Sequence, residues 1–284
     1  MNKPFIKQIE YMGVPELKLA LFSDLHIASG TDVDMIQMKK DFDIASKEGR
    51  RILINGDIAE QITPGDKKRW TASKMNSNRD DVLNEQLQLC FEFLKPYADD
   101  LDVIGRGNHD ISPIKYDAFD LVGALIGMLN QVKTNGSIHS AAYQGYIQYK
   151  LKPTTKKKGS TPFTIYMHHG AGGSAPVSKG MIDFNRIVYS HNADLFWIGH
   201  KHTAIQDNGI VQDGLDKMGN YEQKVRKAII TPGYKQSVID TDKGYRVNYS
   251  DTFYNFQAKG YGVVDAYVDR NKQKIASFDV TLRT

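Results

Sequence analysis

Residues 18–26, KLALFSDLH, are a short apolar run that ends on an aspartate and a histidine two positions apart. A run of this length bounded by polar residues predicts a buried strand, here Lys18 to Ser23. The same arrangement recurs four times. Strands are expected at Arg51 to Asn55, Leu101 to Gly105, Phe163 to Met167 and Leu195 to Ile198. They are followed in turn by GDIAE (56–60), GNHD (107–110), HHG (168–170) and GHKH (199–202). Six of the eight histidines fall in these five short segments, which chance does not explain. Open α/β sheets gather their functional groups at the carboxyl ends of strands. Carboxylates and imidazoles together suit manganese, iron, zinc and related divalent ions. In a regular strand Asp24 and His26 would share one face, and so would His200 and His202.

Between these runs lie amphipathic stretches. Asp81 to Tyr97 places Leu83, Leu87, Cys90, Phe91 and Leu94 on one helical face, and Phe119 to Val132 does the same with Phe119, Val122, Ile126 and Leu129. A third helix is expected from Asp183 to His191. After residue 223 the period changes to two, predicting strands at Lys227 to Thr231, Tyr261 to Tyr267 and Lys274 to Leu282, with an Asp269–Lys272 turn. The alternation predicts an α/β protein. Lys152 to Pro162 reads as a solvated basic loop and Gln61 to Asp80 as a long polar one.

Composition narrows the class. The 284 residues are 40% hydrophobic and 25% charged, as in an ordinary globular protein. No apolar run approaches the roughly 18 residues of a membrane span, and charges at Lys3, Lys7 and Glu10 argue against a secretory signal. The single cysteine, Cys90, excludes an internal disulfide and fits a cytoplasmic location without a membrane. A net charge of +4 suits an anionic substrate but is too small for a DNA-coating protein.

The ordered set D-x-H, G-D-x-x-E, G-N-H-D, H-H-G and G-H-x-H, running from Asp24 to His202, resembles the calcineurin-like metallophosphoesterase superfamily. That family includes nucleases, cyclic-nucleotide phosphodiesterases and Ser/Thr phosphatases. The resemblance implies a two-sheet mixed β-sandwich flanked by helices, with residues 1–284 forming one domain and no separate capping domain. It implies two divalent ions, manganese first, with iron, zinc, nickel or magnesium as alternatives. Asp24, His26 and His202 would hold one ion, and Asp57 would bridge to the other. Asn108, His200 and either His168 or His169 would complete the second site. A hydroxide between the ions would attack phosphorus. His109 would protonate the leaving oxygen, and Asp110 would orient it. Glu60, where many members have aspartate, is read as a residue that fixes a ligand or the following loop.

Arg106 could touch a phosphate or form a structural salt bridge. Lys67, Lys68, Arg69 and Trp70 combine charge with an aromatic ring, as a phosphate-plus-base substrate would need. His139 and His191 read as structural. The G-N-H-D form, and Gln61 where protein phosphatases carry Arg-Gly, imply a phosphodiesterase acting on a nucleotide, short nucleic acid or other phosphodiester. A phosphomonoesterase and a noncatalytic scaffold are the alternatives.

Overall fold

The computed structural model describes residues 5–12, 16–28, 33–63, 81–152, 160–172, 180–215, 218–235, 238–241, 244–247, 258–269 and 274–284. Two six-stranded mixed sheets face each other. The first contains β2 (Glu16–Phe22), β3 (Arg51–Ile54), β4 (Leu101–Ile104), β5 (His139–Ser140), β13 (Tyr261–Asp269) and β14 (Lys274–Arg283), in the order β14-β13-β2-β3-β4-β5. The second contains β1 (Phe5–Met12), β6 (Gln144–Lys152), β7 (Thr161–His168), β8 (Leu195–Ile198), β9 (Ile205–Leu215) and β10 (Tyr221–Ile230), in the order β1-β6-β7-β8-β10-β9. A separate hairpin joins β11 (Val238–Thr241) to β12 (Gly244–Val247).

Three apolar clusters fill the layers. Leu19, Leu21, Leu53, Val103, Ile165 and Trp197 are among those packing between the sheets. Helices α1 (Met35–Lys47), α2 (Val82–Leu94) and α4 (Leu121–Val132) cover the outer face of the first sheet. Helix α5 (Met181–Ser190) covers the second through Phe184, Ile187 and Val188. Side-chain carboxylates start two of these helices: Asp34 accepts from Gln37 N–H, and Asp120 from Gly123 N–H. The remaining helix, α3 (Asn108–Asp117), begins on the G-N-H-D segment itself. No helix among the described residues is long and apolar enough to cross a membrane.

All five strands expected beside the motifs are present, within two residues at either end. The α2 face is rotated slightly from expectation. Gln86 is buried on it because its Oε1 accepts the Gln61 N–H at 2.8 Å. Cys90 is in the core, as a residue on that face should be. Strands β2, β3 and β4 run parallel, as do β7, β8 and β10, so their carboxyl ends lie along common edges. Asn55 ties the two edges together. Its Nδ2 donates to the carbonyls of His168 at 3.1 Å and Trp197 at 3.5 Å.

Candidate metal centre

Beyond the ends of β2 and β3 the chain does not continue as strand. Asp24, His26 and Asp57 have φ of 56°, 50° and 50°, and His200 and His202 beyond β8 have 67° and 49°. Asp and His tolerate the left-handed region better than most residues, yet holding it has a cost that surrounding structure must meet. Here backbone hydrogen bonds supply the restraint: Asp24 N–H to Gly56 O, His26 N–H to Asp57 O and Ile27 N–H to Ile58 O, at 3.1, 3.0 and 2.9 Å. The expectation that Asp24 and His26, or His200 and His202, share a face by strand alternation is therefore corrected. Left-handed turns bring them together.

Among the described residues, three sets of side chains present ligand atoms within 4.8 Å of one another: Asp24, His26 and His202; His26, Asp57 and His109; and Asp57, His169 and His200. Asp57 belongs to two of them. Its Oδ2 lies 3.1 Å from His169 Nε2 and 3.8 Å from His26 Nε2, while Oδ1 accepts the His109 N–H at 2.8 Å. Asp24 Oδ1 lies 3.9 Å from both His169 Nε2 and His202 Nε2. Ligand atoms about 2.0–2.2 Å from a common ion stand roughly 3–3.5 Å apart; the 3.1 Å spacing meets this, and those of 3.8–3.9 Å are a few tenths of an ångström wider. Gly107 makes room for these side chains, since a Cβ there would meet Asp57 Oδ1 at 2.1 Å and His169 Cε1 at 2.6 Å.

Unpartnered atoms test the fit. Both ring nitrogens of His26, Glu60 Oε2, Asn108 Oδ1, His169 Nε2 and His202 Nδ1 are among the buried atoms with no hydrogen-bond partner. Such groups are costly unless something else satisfies them, and a divalent cation would do so. The imidazoles are also set in tautomer. His169 Nδ1 faces Asn55 O at 2.8 Å, and His200 Nε2 faces Gly172 O at 3.1 Å. Each contact leaves the other ring nitrogen to carry the lone pair.

Charge follows the same logic. Burial pushes Asp24 up to about 7 against the pull of His169. Burial also opposes ionisation of Asp57, but His169, His109 and His26 outweigh it and hold that carboxyl well below its usual range. Burial alone would depress His169; Asp57 and Asp24 overcome it and raise the imidazole from 6.5 to about 10. Burial brings His26 and His200 down to about 4. In the metal-free protein a proton on His169 thus does a cation's work between two carboxylates. Its stabilisation is complete below about 6.5 and is lost as pH rises through about 10. Loading the metal-free protein with Mn²⁺ or Zn²⁺ at pH 8 is expected to release about one proton from His169. Calorimetry in buffers of different ionisation enthalpy checks this, and heats independent of buffer would contradict it.

No family model and no curated protein matches the chain. The chain is similar to several solved structures, a metallophosphoesterase among them. The metallophosphoesterase, from Sphaerobacter thermophilus, is 13% identical, with a TM-score of 0.32, over 94% of this chain and 90% of that one. A phosphatase from Mycoplasma pneumoniae is 12% identical, with a TM-score of 0.37, over 94% and 93%. Zinc-complexed Vps29 from Entamoeba histolytica is 9% identical, with a TM-score of 0.34, over 94% and 98%. All three are distant likenesses.

Of the residues singled out from sequence, Asp24, His26, Asp57, His109, His169, His200 and His202 come together at this centre, and Asn108, next to His109 in the chain, has its Oδ1 buried without a partner. His168 does not: its Nδ1 accepts the Gly170 N–H at 2.8 Å and it is in none of the three sets, whereas His169 is in one. Asp110 also departs from expectation. Its carboxylate faces backbone instead of the His109 ring, accepting from the N–H groups of Asp57 at 2.6 Å, Gly107 at 2.8 Å and Ile58 at 3.3 Å. It braces the left-handed turn that carries Asp57. The His109 ring is held by the Glu60 carbonyl at Nδ1.

Arg106 takes the structural alternative. It pairs with Asp120 at 2.7 Å and also reaches Ser140 Oγ and Ala141 O, so its guanidinium is not offered to a phosphate. Lys67, Lys68, Arg69 and Trp70 lie outside the described residues, as do most of the Lys152–Pro162 and Asp269–Lys272 segments. His191 stacks on Tyr166 at 3.8 Å, and His139 stands on β5 apart from the cluster. Sequence reading missed Gly233, Lys235 and Tyr143. At Gly233, φ is 76° and a Cβ would meet Asp24 Cβ at 2.9 Å. Tyr143 packs edge-on to His169 at 5.3 Å and donates to Gly170 O.

Proposed function

We propose that this protein is a metal-dependent phosphodiesterase acting on a nucleotide or nucleic-acid phosphodiester. The observation that carries the reading is the convergence of Asp24, His26, Asp57, His169, His200 and His202, with Asp57 shared between ligand sets. Asp24, His26 and His202 would hold one divalent ion, and Asn108, His169 and His200 a second, with the Asp57 carboxylate between them. Bound there, such ions would supply Lewis acidity and a water acidic enough to act as nucleophile near neutral pH. The chain's own contribution is to hold the ligands in fixed tautomers and to place His109 beside the centre, its ring edge-on to His26 at 4.7 Å.

Charge supports a diester over a monoester. A phosphomonoester carries nearly two negative charges at pH 7, whereas a diester carries one. Among the described residues, the cations around the cluster are engaged elsewhere. Lys201 binds Asp183 at 2.8 Å, Lys235 binds Glu60 at 3.2 Å and Arg106 binds Asp120. The position of the protein phosphatases' arginine is occupied by Gln61, whose amide turns inward to Asp110. Hydrolysis of bis-p-nitrophenyl phosphate against p-nitrophenyl phosphate, with Mn²⁺ supplied, tests the reading. Faster turnover of the monoester would reject it.

Lys67, Lys68, Arg69 and Trp70 are proposed to grip the nucleotides flanking the scissile phosphate. Replacing the three basic residues with alanine is expected to raise KM for an oligonucleotide and flatten its salt dependence. Hydrolysis of bis-p-nitrophenyl phosphate should be nearly unchanged, and an equal response of both substrates would assign the segment a structural role.

A further inference from the structure

Glu60 departs from the motif pattern, and the structure gives it two contacts at once. Its Oε2 lies 2.9 Å from His26 Nδ1, an ion-pair distance at which neither atom completes a hydrogen bond in this structure, and its carbonyl takes the Nδ1 side of His109. One residue therefore addresses both a candidate metal ligand and the candidate proton donor. The Glu60 carboxylate thus stands behind a candidate ligand; brought into line it would accept Nδ1–H and leave the other ring nitrogen toward an ion. A glutamate is longer than an aspartate and has one more torsion to restrain. Something must hold it.

That restraint comes from a distant part of the chain. Lys235 Nζ stands 3.2 Å from the same Glu60 Oε2, so this oxygen is shared between an ammonium and an imidazole. The backbone beneath Lys235 is itself fixed. Val33 and Lys235 form an antiparallel bridge, Asp34 N–H donates to Tyr234 O at 2.9 Å, and Gly260 N–H donates to Gly233 O at 3.2 Å. Tyr234 is fully buried, and its hydroxyl donates to Asp41 at 2.9 Å. The Lys235 side chain is about one-quarter exposed, that of Glu60 only 16%. The ammonium closes the outer side of a carboxylate whose inner side faces His26.

We propose that Lys235 is a positioning residue for the metal centre, acting through Glu60 to set the orientation of His26. It does not bind the substrate phosphate. The structural part stands whatever the substrate; only its kinetic consequence rests on the hydrolase reading above.

The direct test is ¹⁵N–¹H NMR of the histidine rings in zinc-loaded protein. Wild type should show a His26 Nδ1–H protected from exchange. Lys235→Met should lose that protection, and Lys235→Arg should keep it. Thermal melting of each metal-free variant confirms that it folds. In the kinetic arm, Lys235→Met is expected to lower kcat about 10–100-fold, as removal of support behind a metal ligand does, with KM within about two-fold of wild type. If Lys235 acts only through Glu60, Lys235→Met should cost nothing further in a Glu60→Gln background. A His26 Nδ1–H that stays protected in Lys235→Met overturns the proposal. So does a raised KM at unchanged kcat, which would make Lys235 a substrate contact, or multiplicative losses in the double variant. Inactivity of wild type toward every phosphodiester would defeat the hydrolase reading and leave the NMR result to decide the role of Lys235.

Discussion

Replacing Asp57 with asparagine is expected to empty the metal centre and cut phosphodiester turnover by more than about 10²-fold, beyond the range reached by changes that only touch a ligand's support. The reasoning is electrostatic and geometric together. Asp57 is the carboxylate common to two ligand sets, and it is held ionised against its burial by three neighbouring histidines. An amide keeps the shape but removes the charge that would be shared between cations. Asparagine also cannot keep both oxygens: one of Oδ1, which receives His109 N–H, and Oδ2, which faces His169, becomes an NH₂ group. An amide nitrogen turned toward His169 would not ligate an ion at all. Elemental analysis after gel filtration in Mn²⁺ measures the occupancy, and circular dichroism checks that the fold survives. Full metal content together with full activity in Asp57→Asn would refute the shared-carboxylate assignment.

How far the site was legible follows from what kind of signal each part carries. The motif-bearing strands are apolar runs cut short by polar residues, so β2, β3, β4, β7 and β8 could be placed from sequence within two residues. Strands with one wet face were harder. β6, QGYIQYKLK, alternates buried and partly exposed residues almost perfectly, yet it is not among the expected strands, since glutamines and lysines interrupt its apolar residues. Helix α1, MIQMKKDFDIASK, buries only Met38, Asp41, Phe42 and Ala45, and Asp41 is there because Tyr234 and Gln37 satisfy it. That contact spans most of the chain and leaves no local mark.

The ligand residues were legible because the chemistry restricts them to aspartate, asparagine and histidine. Their backbone was not. Spacing two apart reads as a strand, and only the pairing of 24–27 with 56–58 shows why left-handed turns are held there instead. The two histidines at 168 and 169 could not be separated by type. The structure separates them by direction, since one ring is turned to the Gly170 N–H and the other to Asp57. Lys235 and Gly233 belong to no motif. They reach the centre because β10 runs parallel to β8 and ends on the same edge.

His109→Ala is expected to leave metal content near that of wild type while lowering turnover by about 10²–10⁴-fold for substrates with poor leaving groups. His109 is in a ligand set with His26 and Asp57, so geometry alone allows it to be a ligand or a proton donor. The Glu60 carbonyl at Nδ1 leaves the other ring nitrogen free for either role, as the carbonyls beside His169 and His200 do, so the metal content of the variant decides between them. In the acid role Nδ1–H stays on the Glu60 carbonyl and the proton on Nε2 is the transferable one. A leaving alkoxide of a nucleoside needs that proton, whereas p-nitrophenolate departs nearly as well without it. The deficit of His109→Ala should therefore shrink steadily as the leaving group becomes more acidic, across a series of aryl and alkyl diesters. Loss of bound metal in the variant would make His109 a ligand. A deficit independent of leaving group, with metal retained, would leave it stabilising charge on the phosphoryl oxygens without transferring a proton.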